Sequence, residues 1–529
     1  MATPAIQTEL PPSSPPPPLQ EEDENCPFIV IGGGIVGLVL ALALYKDLGI
    51  KVPIYEKASQ LSYEIGAGMG MYPNGLRVLR HIDPTLCQKV QEAGYPYLER
   101  RYERHDGTTV AVAPEATLSD KKDGLQPIGI KRGRLQKILV QAVQEAGLPL
   151  HLGKKVASVT EEEDGRGVRL TFVDGTIRRA QFLFAADGAR SQVRNEVLRW
   201  KCPEHDRGAA ATRATEPETK PEDNESPTNS TESSPSSNLT EQTKKVQLSS
   251  TAKQEETPTL YYTGVTCFMG LAPVARPRRG ICFPSSLSSK FHAVFFPTAP
   301  DEQCFQLHFP VADLTKAMET WGAIPPQDAQ KECCALAAQL RIEGWHEDYL
   351  KPLENVTYAI RIGFALLQPR LKTWVYGSSQ PLVVLLGDAA HPPVPYLGQG
   401  AQMGLEDAGT LSLLIKHMCL DIDGQFQATN FRAVTKQFEQ MRLARTRQIL
   451  ENSQKWGKIQ QQRADDTCRN QAREKIIRRE VFFHEALPIL FPGATYNYEK
   501  AVQEAMARIP IHLAMVKEKE EETDSTSAK

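Results

Sequence analysis

FIVIGGGIVGLVLALALY, Phe28 to Tyr45, is 18 residues long and carries no charge. Length and hydrophobicity alone would suit a membrane span. Four glycines in its front half, Gly32, Gly33, Gly34 and Gly37, argue otherwise, because glycine is costly inside a helix. The run divides instead into a β-branched buried strand, FIVI, and an apolar helix, IVGLVLALALYKDLG, that stops at Gly49. Between them lies G-x-G-x-x-G at Gly32, Gly34 and Gly37, and a second strand, KVPIYEK, follows. In this frame Gly32 permits a tight turn, Gly34 lets backbone approach a pyrophosphate, and Gly37 lets helix pack on strand. The free N–H groups and the dipole at the helix start favour a phosphate there. Glu56 ends the second strand 22 residues after Gly34, where an acid binds a ribose hydroxyl.

The rest of the chain frames that motif. Its 529 residues call for two or more domains, and 41% hydrophobic with 24% charged residues is ordinary for a soluble globular protein. A net charge of −3 gives no basic field for nucleic acid or an anionic membrane. The ten cysteines form no C-x-x-C pair and no zinc spacing, so reduced thiols and no metal site are expected. The first basic residue is Lys46, which leaves no charged n-region and no basic transit peptide. A cytoplasmic location and no transmembrane segment are the expectation. The Pro-rich, then acidic N-terminus reads as a disordered arm.

Further along, QPIGIKRGRLQKILVQAVQEAGLPL is a strand followed by an amphipathic helix. Asp164-Gly165 and Asp174-Gly175 then separate three strand-like runs, which predicts a small β-meander. Between Trp200 and Tyr261 there is no aromatic Phe, Trp or Tyr, and Ser, Thr, Pro, Glu and Lys dominate. Such a segment cannot bury enough apolar surface to offset chain entropy. From Leu260, the runs YYTGVTCFMGLAP, GICFPSS, KFHAVFFPT and CFQLHFP predict an antiparallel sheet. A helical stretch with Trp321 and Trp345 follows, then a buried strand, PLVVLLGDAAHP, and largely helical sequence over 425–480.

Two later stretches narrow the nucleotide. FLFAADGARSQVR carries Asp187-Gly188 with Ser191 and Arg194 behind it. LLGDAAHPPVPYLGQGAQMGLEDA carries Gly387-Asp388, Pro392-Pro393 and Gly398-Gln399-Gly400 before a helix. With the N-terminal fingerprint, these residues resemble the class A flavoprotein monooxygenases, the aromatic hydroxylases, and within them the salicylate-hydroxylase-like fungal branch. The resemblance spans roughly 27–200 and 259–470.

That resemblance implies an α/β fold: a Rossmann-like FAD-binding domain, an antiparallel-sheet substrate domain and a helical C-terminal region. The expected order is a disordered arm over 1–25, the first part of the FAD-binding domain over 26–202, and a disordered insert over 203–258. A substrate-binding sheet domain over 259–378, the second part of the FAD-binding domain over 379–424, helices over 425–512 and a disordered tail over 513–529 complete it. The cofactor-binding residues it implies begin with Gly32, Gly34, Gly37, Glu56 and the adjoining Lys57. Gly68 belongs to the segment GAGMGMYPNGLRVL beside the flavin, and Arg132 matches an R-x-x-L arginine near the ribityl chain and phosphates. Arg134 departs from the acidic or small residue usual at its position. Asp187 resembles the motif tied to both FAD and NAD(P)H, and Asp388 the carboxylate that binds the ribityl chain. Pro393 precedes the turn Gly398, Gln399, Gly400 and Ala401, whose N–H groups would face the flavin N1 and C2 carbonyl. A helix start there also suits the negative charge of a reduced flavin.

The implied activity is a FAD-dependent monooxygenase that uses NAD(P)H and O2 to hydroxylate an aromatic or phenolic small molecule through a flavin C4a-hydroperoxide. The chain has one fingerprint, in keeping with NAD(P)H as a transient co-substrate. A sheet rich in Phe, Tyr, Val and Leu over 259–312 would roof the pocket. Tyr261, Tyr262, His292 and Arg361 are polar residues in or near that roof, His391 follows the flavin-side acid, and no catalytic base is assigned. An epoxidase or hydroxylase of a polyketide or terpenoid stays open, as does a non-catalytic flavin-binding interaction module. A halogenase is disfavoured, since no two tryptophans stand two residues apart. The 203–258 insert reads as a tolerated loop expansion. Its deletion is expected to leave flavin binding intact; a purified deletion variant that is colourless would refute this.

Overall fold

The computed structural model describes residues 26–64, 66–114, 124–200, 257–276, 278–286, 291–311, 322–460, 467–482 and 496–508. The expected arm and tail, nearly all of the expected insert, and Trp321 lie outside these residues.

Phe28–Ile31 is a fully buried strand at the centre of a six-stranded sheet. The order is Val375–Tyr376, Val383–Leu385, Phe182–Ala185, Phe28–Ile31, Ile54–Tyr55, Leu150–His151. Neighbours run parallel except the Val375–Tyr376 edge, which is antiparallel. Strands covered on both faces must be apolar throughout, which is why FIVI, FLFA and VVL do not alternate. The second strand is only two residues long, because Pro53 has no N–H to extend the ladder.

The helix Ile35–Leu48 follows the glycine turn and is buried on nearly all sides. It ends at Gly49, whose left-handed φ of 72° lets its N–H close on the Tyr45 carbonyl at 2.9 Å. The expected meander is present as Val156–Glu161, Val168–Phe172 and Ile177–Ala180. Asp164 and Asp174 shape its turns by accepting the N–H two residues on, at 2.9 Å each.

A second, eight-stranded sheet takes the order Gly322–Ile324, Tyr358–Gln368, Thr259–Pro273, Glu302–Pro310, His292–Ala299, Gly280–Ser285, Glu99–Arg104, Thr109–Pro114. It is antiparallel but for one parallel pair, Gly280–Ser285 with Glu99–Arg104. The two strands from 99–114 join it from the first half of the chain. Its outer face, with Phe268, Phe295, Phe305 and Leu307, packs under the helices Pro326–Ile342 and Glu347–Glu354. Its inner face, with Leu271, Val294, Phe296 and Cys304, meets Ala67, Tyr97, Leu397 and Trp456 from the other parts of the chain. Behind this seam lie the helices Gly400–Cys419 and Phe431–Gln460. Among the described residues, no helix is long and apolar enough to cross a membrane.

The C-terminal helix Tyr498–Arg508 is fastened by a partly buried ion cluster around Asp47. His81 lies 2.9 Å from Asp47 and 3.1 Å from Glu499, and Asp47 also accepts from Ser412 at 2.7 Å. Hydrogen bonds to Asp47 and Glu499 raise His81 from 6.5 to about 9. A raised folded value means the contribution is complete below about 6.5 and is lost as pH climbs through about 9. Its size is about 3 kcal/mol at most. The variant His81→Gln is therefore expected to melt well below the parent at pH 6, with the gap closing by pH 10; a gap independent of pH would overturn the assignment.

Candidate functional site

The glycine turn is close-packed. Gly32 has φ of +111°, and a Cβ there would stand 2.4 Å from the Ala186 carbonyl oxygen. At Gly37 a Cβ would meet the Gly32 carbonyl oxygen at 1.9 Å, so the helix presses directly on the turn. Gly34 is the opposite case: nothing lies within 4 Å of its Cβ position, and it begins the helix with no side chain capping the first N–H groups. Open space at an uncapped helix start suits an anion. Glu56 stands beside it, accepting from the Gly33 N–H at 2.7 Å and the Ala58 N–H at 2.9 Å. Lys57 is exposed next to it.

The helix Gly400–Cys419 also starts without a side-chain cap, just after Gly398 (φ +63°) and Gln399. Ala401 is in its first turn, and Pro393 packs on Gly400, 3.1 Å from the Cβ position there. The two helix starts converge. A Cβ on Gly404 would lie 2.4 Å from Val36 in the first helix and 3.4 Å from the Gly387 Cα. Asp388 follows on that turn with no hydrogen bond to its carboxylate among the described residues. Its side chain is open to solvent, yet it lies deep among surrounding protein, and that desolvating environment raises its carboxyl. Both conditions hold for a group on the floor of a cleft. Arg132 is exposed, has no partner among the described residues, and its charge reaches Asp388. Two uncapped helix starts, an open acid and an uncommitted arginine fit a dinucleotide with a polar chain between phosphates and ring.

Other expected residues have structural duties. Asp187 accepts from Ser191 Oγ at 2.5 Å and from the N–H groups of Gln192 and Val193 at 2.8 and 3.2 Å, so it caps the helix Gln192–Trp200. Burial raises its carboxyl against those bonds. Behind it, Arg194 donates to the carbonyls of Ala189 and Ala389 at 2.7 and 3.0 Å, tying the Asp187 loop to the Asp388 turn. Gly68 lies under the second sheet, where a Cβ would meet Cys304 at 2.6 Å and Thr298 at 2.7 Å. Arg134 crosses the same seam, donating to Ala93 and Thr298 carbonyls at 3.1 and 3.0 Å. Of the roof candidates, Tyr261 is 64% exposed, and Tyr262 Oη lies 2.7 Å from Thr266 Oγ1. Arg361 pairs with Glu332 over Phe268 on the outer face, away from the seam.

The sequence reading missed what holds the two loops. Glu406 and Asp407 are fully buried in the Gly400–Cys419 helix. Arg442 lies between them, at 2.6 Å from Glu406 and 2.7 Å from Asp407, and Arg445 adds two bonds to Glu406 at 2.6 and 2.7 Å. Asp407 also accepts from the Gly387 N–H at 2.9 Å and contacts His391 Nε2 at 2.6 Å. Glu406 accepts from Asn74 at 2.7 Å, and Asn74 donates to Gln399 at 3.0 Å. Gln402 donates to the Gly70 carbonyl at 2.8 Å. Burial pushes Asp407 up, but His391 and Arg442 outweigh it and hold it at about 2. The available signal was the adjacent acids in an otherwise apolar helix, LEDAGTLSLL, and arginines three apart at 442 and 445.

Arg442→Met leaves both acids buried and poorly compensated. It is expected to cost about 3–5 kcal/mol in urea unfolding and to lower flavin retention. An unchanged unfolding midpoint would refute the linkage.

A sequence profile described as FAD binding domain matches residues 25–260. Aurachin C monooxygenase/isomerase of Stigmatella aurantiaca is 27% identical over 455 residues, covering 85% of this chain and 93% of that protein. The 3-amino-4-hydroxybenzoate 2-monooxygenase of Streptomyces cremeus is 26% identical, covering 79% and 84%. The 6-hydroxynicotinate 3-monooxygenase of Pseudomonas fluorescens is also 26% identical, covering 74% and 82%. In fold, the chain is similar to Klebsiella pneumoniae HpxO, solved with FAD and uric acid, with a TM-score of 0.64 at 20% identity, covering 89% and 98%. Residues 25–260 thus match a FAD binding domain, and over most of its length the chain is similar to FAD-dependent monooxygenases.

Proposed function

We propose that the chain hydroxylates an electron-rich aromatic ring, phenolic or heteroaromatic, using NAD(P)H and O2. The observation that carries this is the inner face of the second sheet. There Val265, Cys267 and Phe364, with Met269, Ile362 and Tyr396 packed against them, form an apolar wall against Val394, just ahead of the Gly398–Ala401 turn. An apolar wall with few polar groups suits a flat ring. The ring substrates in the names of the two 26% identical hydroxylases support the same class. A cytoplasmic setting belongs to this reading, in keeping with free thiols at eight cysteines among the described residues.

Bound FAD, reduced by NAD(P)H, would supply the oxygen chemistry. The chain's own part is binding and exclusion. The helix start at Gly34 would take the pyrophosphate, with Gly32 and Gly37 shaping the turn and Glu56, beside Lys57, meeting the adenosine ribose. Arg132 and Asp388 would hold the ribityl chain and phosphates, with Gly68 alongside. The N–H groups at Gly398, Gln399, Gly400 and Ala401, backed by Pro393, would favour negative charge on the ring edge they face. Asp187 would act by holding its loop, since its carboxylate serves the helix cap. The aromatic seam would keep water from the reacting atoms.

The test is the visible spectrum of the purified protein, then NAD(P)H oxidation against phenols, hydroxypyridines and aromatic acids. A yellow protein whose NAD(P)H use rises with one ring, giving a product one oxygen heavier, is expected. A yellow protein inert to the whole set would move the reading to a larger polyketide or terpenoid substrate. Asp388→Ala is expected to lower FAD affinity at least tenfold, measured by flavin release on dilution; unchanged retention would remove Asp388 from the site.

A further inference from the structure

A buried polar set on the inner face of the second sheet is unused by the flavin reading. His292 and His308 sit opposite each other on neighbouring strands, ring centroids 5.3 Å apart, 2% and 3% exposed. His292 Nδ1 bonds Ser285 Oγ at 2.8 Å. Its Nε2 and both ring nitrogens of His308 have no hydrogen-bond partner. Arg473, on the helix Thr467–Phe482, is 4% exposed, and its Nε also lacks a partner. Its charge reaches His292. The adjacent acid, Glu474, is hydrogen-bonded by Arg104 at 2.7 and 2.9 Å, so its charge, which also reaches Arg473, is shared between the two arginines.

Aromatic rings enclose the set. Phe364 and Tyr396 stand edge-on to His308 at 5.0 and 5.8 Å, and Phe283 lies parallel to His292 at 6.4 Å. Tyr396 belongs to the turn Pro395–Leu397 that runs directly into Gly398. The set therefore borders both the apolar wall and the loop assigned to the flavin.

Buried polar groups are nearly always paired, and a buried guanidinium without an anion is costly. An N–H against an aromatic ring recovers only a small part. Burial lowers His308 to about 3 and His292 well below its ordinary value, so both rings are neutral and each can donate one N–H. One cation and two neutral donors complement a single anionic oxygen on an aromatic ring.

We propose that Arg473, with His292 and His308, forms the subsite for an acidic oxygen on the substrate ring, and that the helix Thr467–Phe482 is a wall of the substrate pocket. This rests on the reading of the inner face as the substrate wall. It restricts the substrate class to rings bearing a carboxylate or an ionised enol or phenol. Three of their buried ring nitrogens and the Arg473 Nε have no partner among the described residues; the substrate oxygen supplies one.

Benzoate and benzamide are matched probes that differ in this charge. Each is titrated into the flavin-loaded protein and into the flavin-free protein, and the melting temperature is read in both, with the flavin absorbance in the first. Benzoate is expected to raise the melting temperature and to bind at least tenfold more tightly than benzamide. Arg473→Met should weaken benzoate at least tenfold without lowering flavin content, and should not lower the melting temperature of the ligand-free protein. Arg473→Lys should recover part of the benzoate affinity. His308→Phe, of similar shape, should weaken benzoate while keeping the fold. Equal binding of the two probes, no response to either, or parental benzoate binding by Arg473→Met would overturn the subsite. Failure to load FAD would instead count against the monooxygenase reading, because the flavin-free titration still reports on Arg473.

Discussion

Arg442 lies without exposed side-chain surface between Glu406 and Asp407, and both loops of the candidate cofactor cleft hang from that knot. Taking three charges out of water gains little net stability even when they are well paired. What the knot supplies is position. Asp407 holds the Gly387 N–H and His391, and so sets the turn that carries Asp388. Glu406 holds Asn74, which in turn holds Gln399 at the start of its own helix. One arginine on the Phe431–Gln460 helix thus fixes an acid and a row of N–H groups that are distant from it in sequence.

The second constraint is steric. The first helix, the Gly387 turn and the Gly400–Cys419 helix meet where Val36, Gly387 and Gly404 touch, and no side chain would fit at Gly404. Close backbone approach brings the two helix starts, with their free N–H groups, to one cleft. Across that cleft the second sheet is pinned by few polar contacts. Tyr358 Oη accepts from the Gly66 N–H at 2.8 Å, and Arg134 reaches the Thr298 carbonyl. Most of the rest of the seam is apolar, with His292, His308 and Arg473 as buried exceptions, which suits recognition of a ring by shape and by a small number of buried polar groups.

The glycine fingerprint was legible because its demands are local. A left-handed φ at Gly32 and contact distance at Gly37 are properties of a few residues in a row, so spacing reveals them. The meander turns at Asp164 and Asp174 and the uncapped start at Gly400 are local in the same sense. Arg134, which departs from the family pattern, became intelligible only with the sheet in place, because its acceptors are carbonyls at Ala93 and Thr298. Asp187 is expected in a motif tied to FAD and NAD(P)H, and only the structure shows that its carboxylate caps the helix starting five residues on.

By itself, then, the sequence determined the Rossmann-like start and the likeness to FAD-dependent monooxygenases, since each follows from short-range backbone geometry and residue order. Only the tertiary structure decided which charges are spent on one another and which stay free. Asp388 and Arg132 are uncommitted, Asp187 and Glu406 are committed, and Arg361 faces the outer helices. Strands from 99–114 entered the second sheet, and a C-terminal helix brought Arg473 to His292, through contacts made by residues far apart in the chain. Whether a polar side chain binds, catalyses or merely holds is a property of its partners, and partners are chosen by the fold.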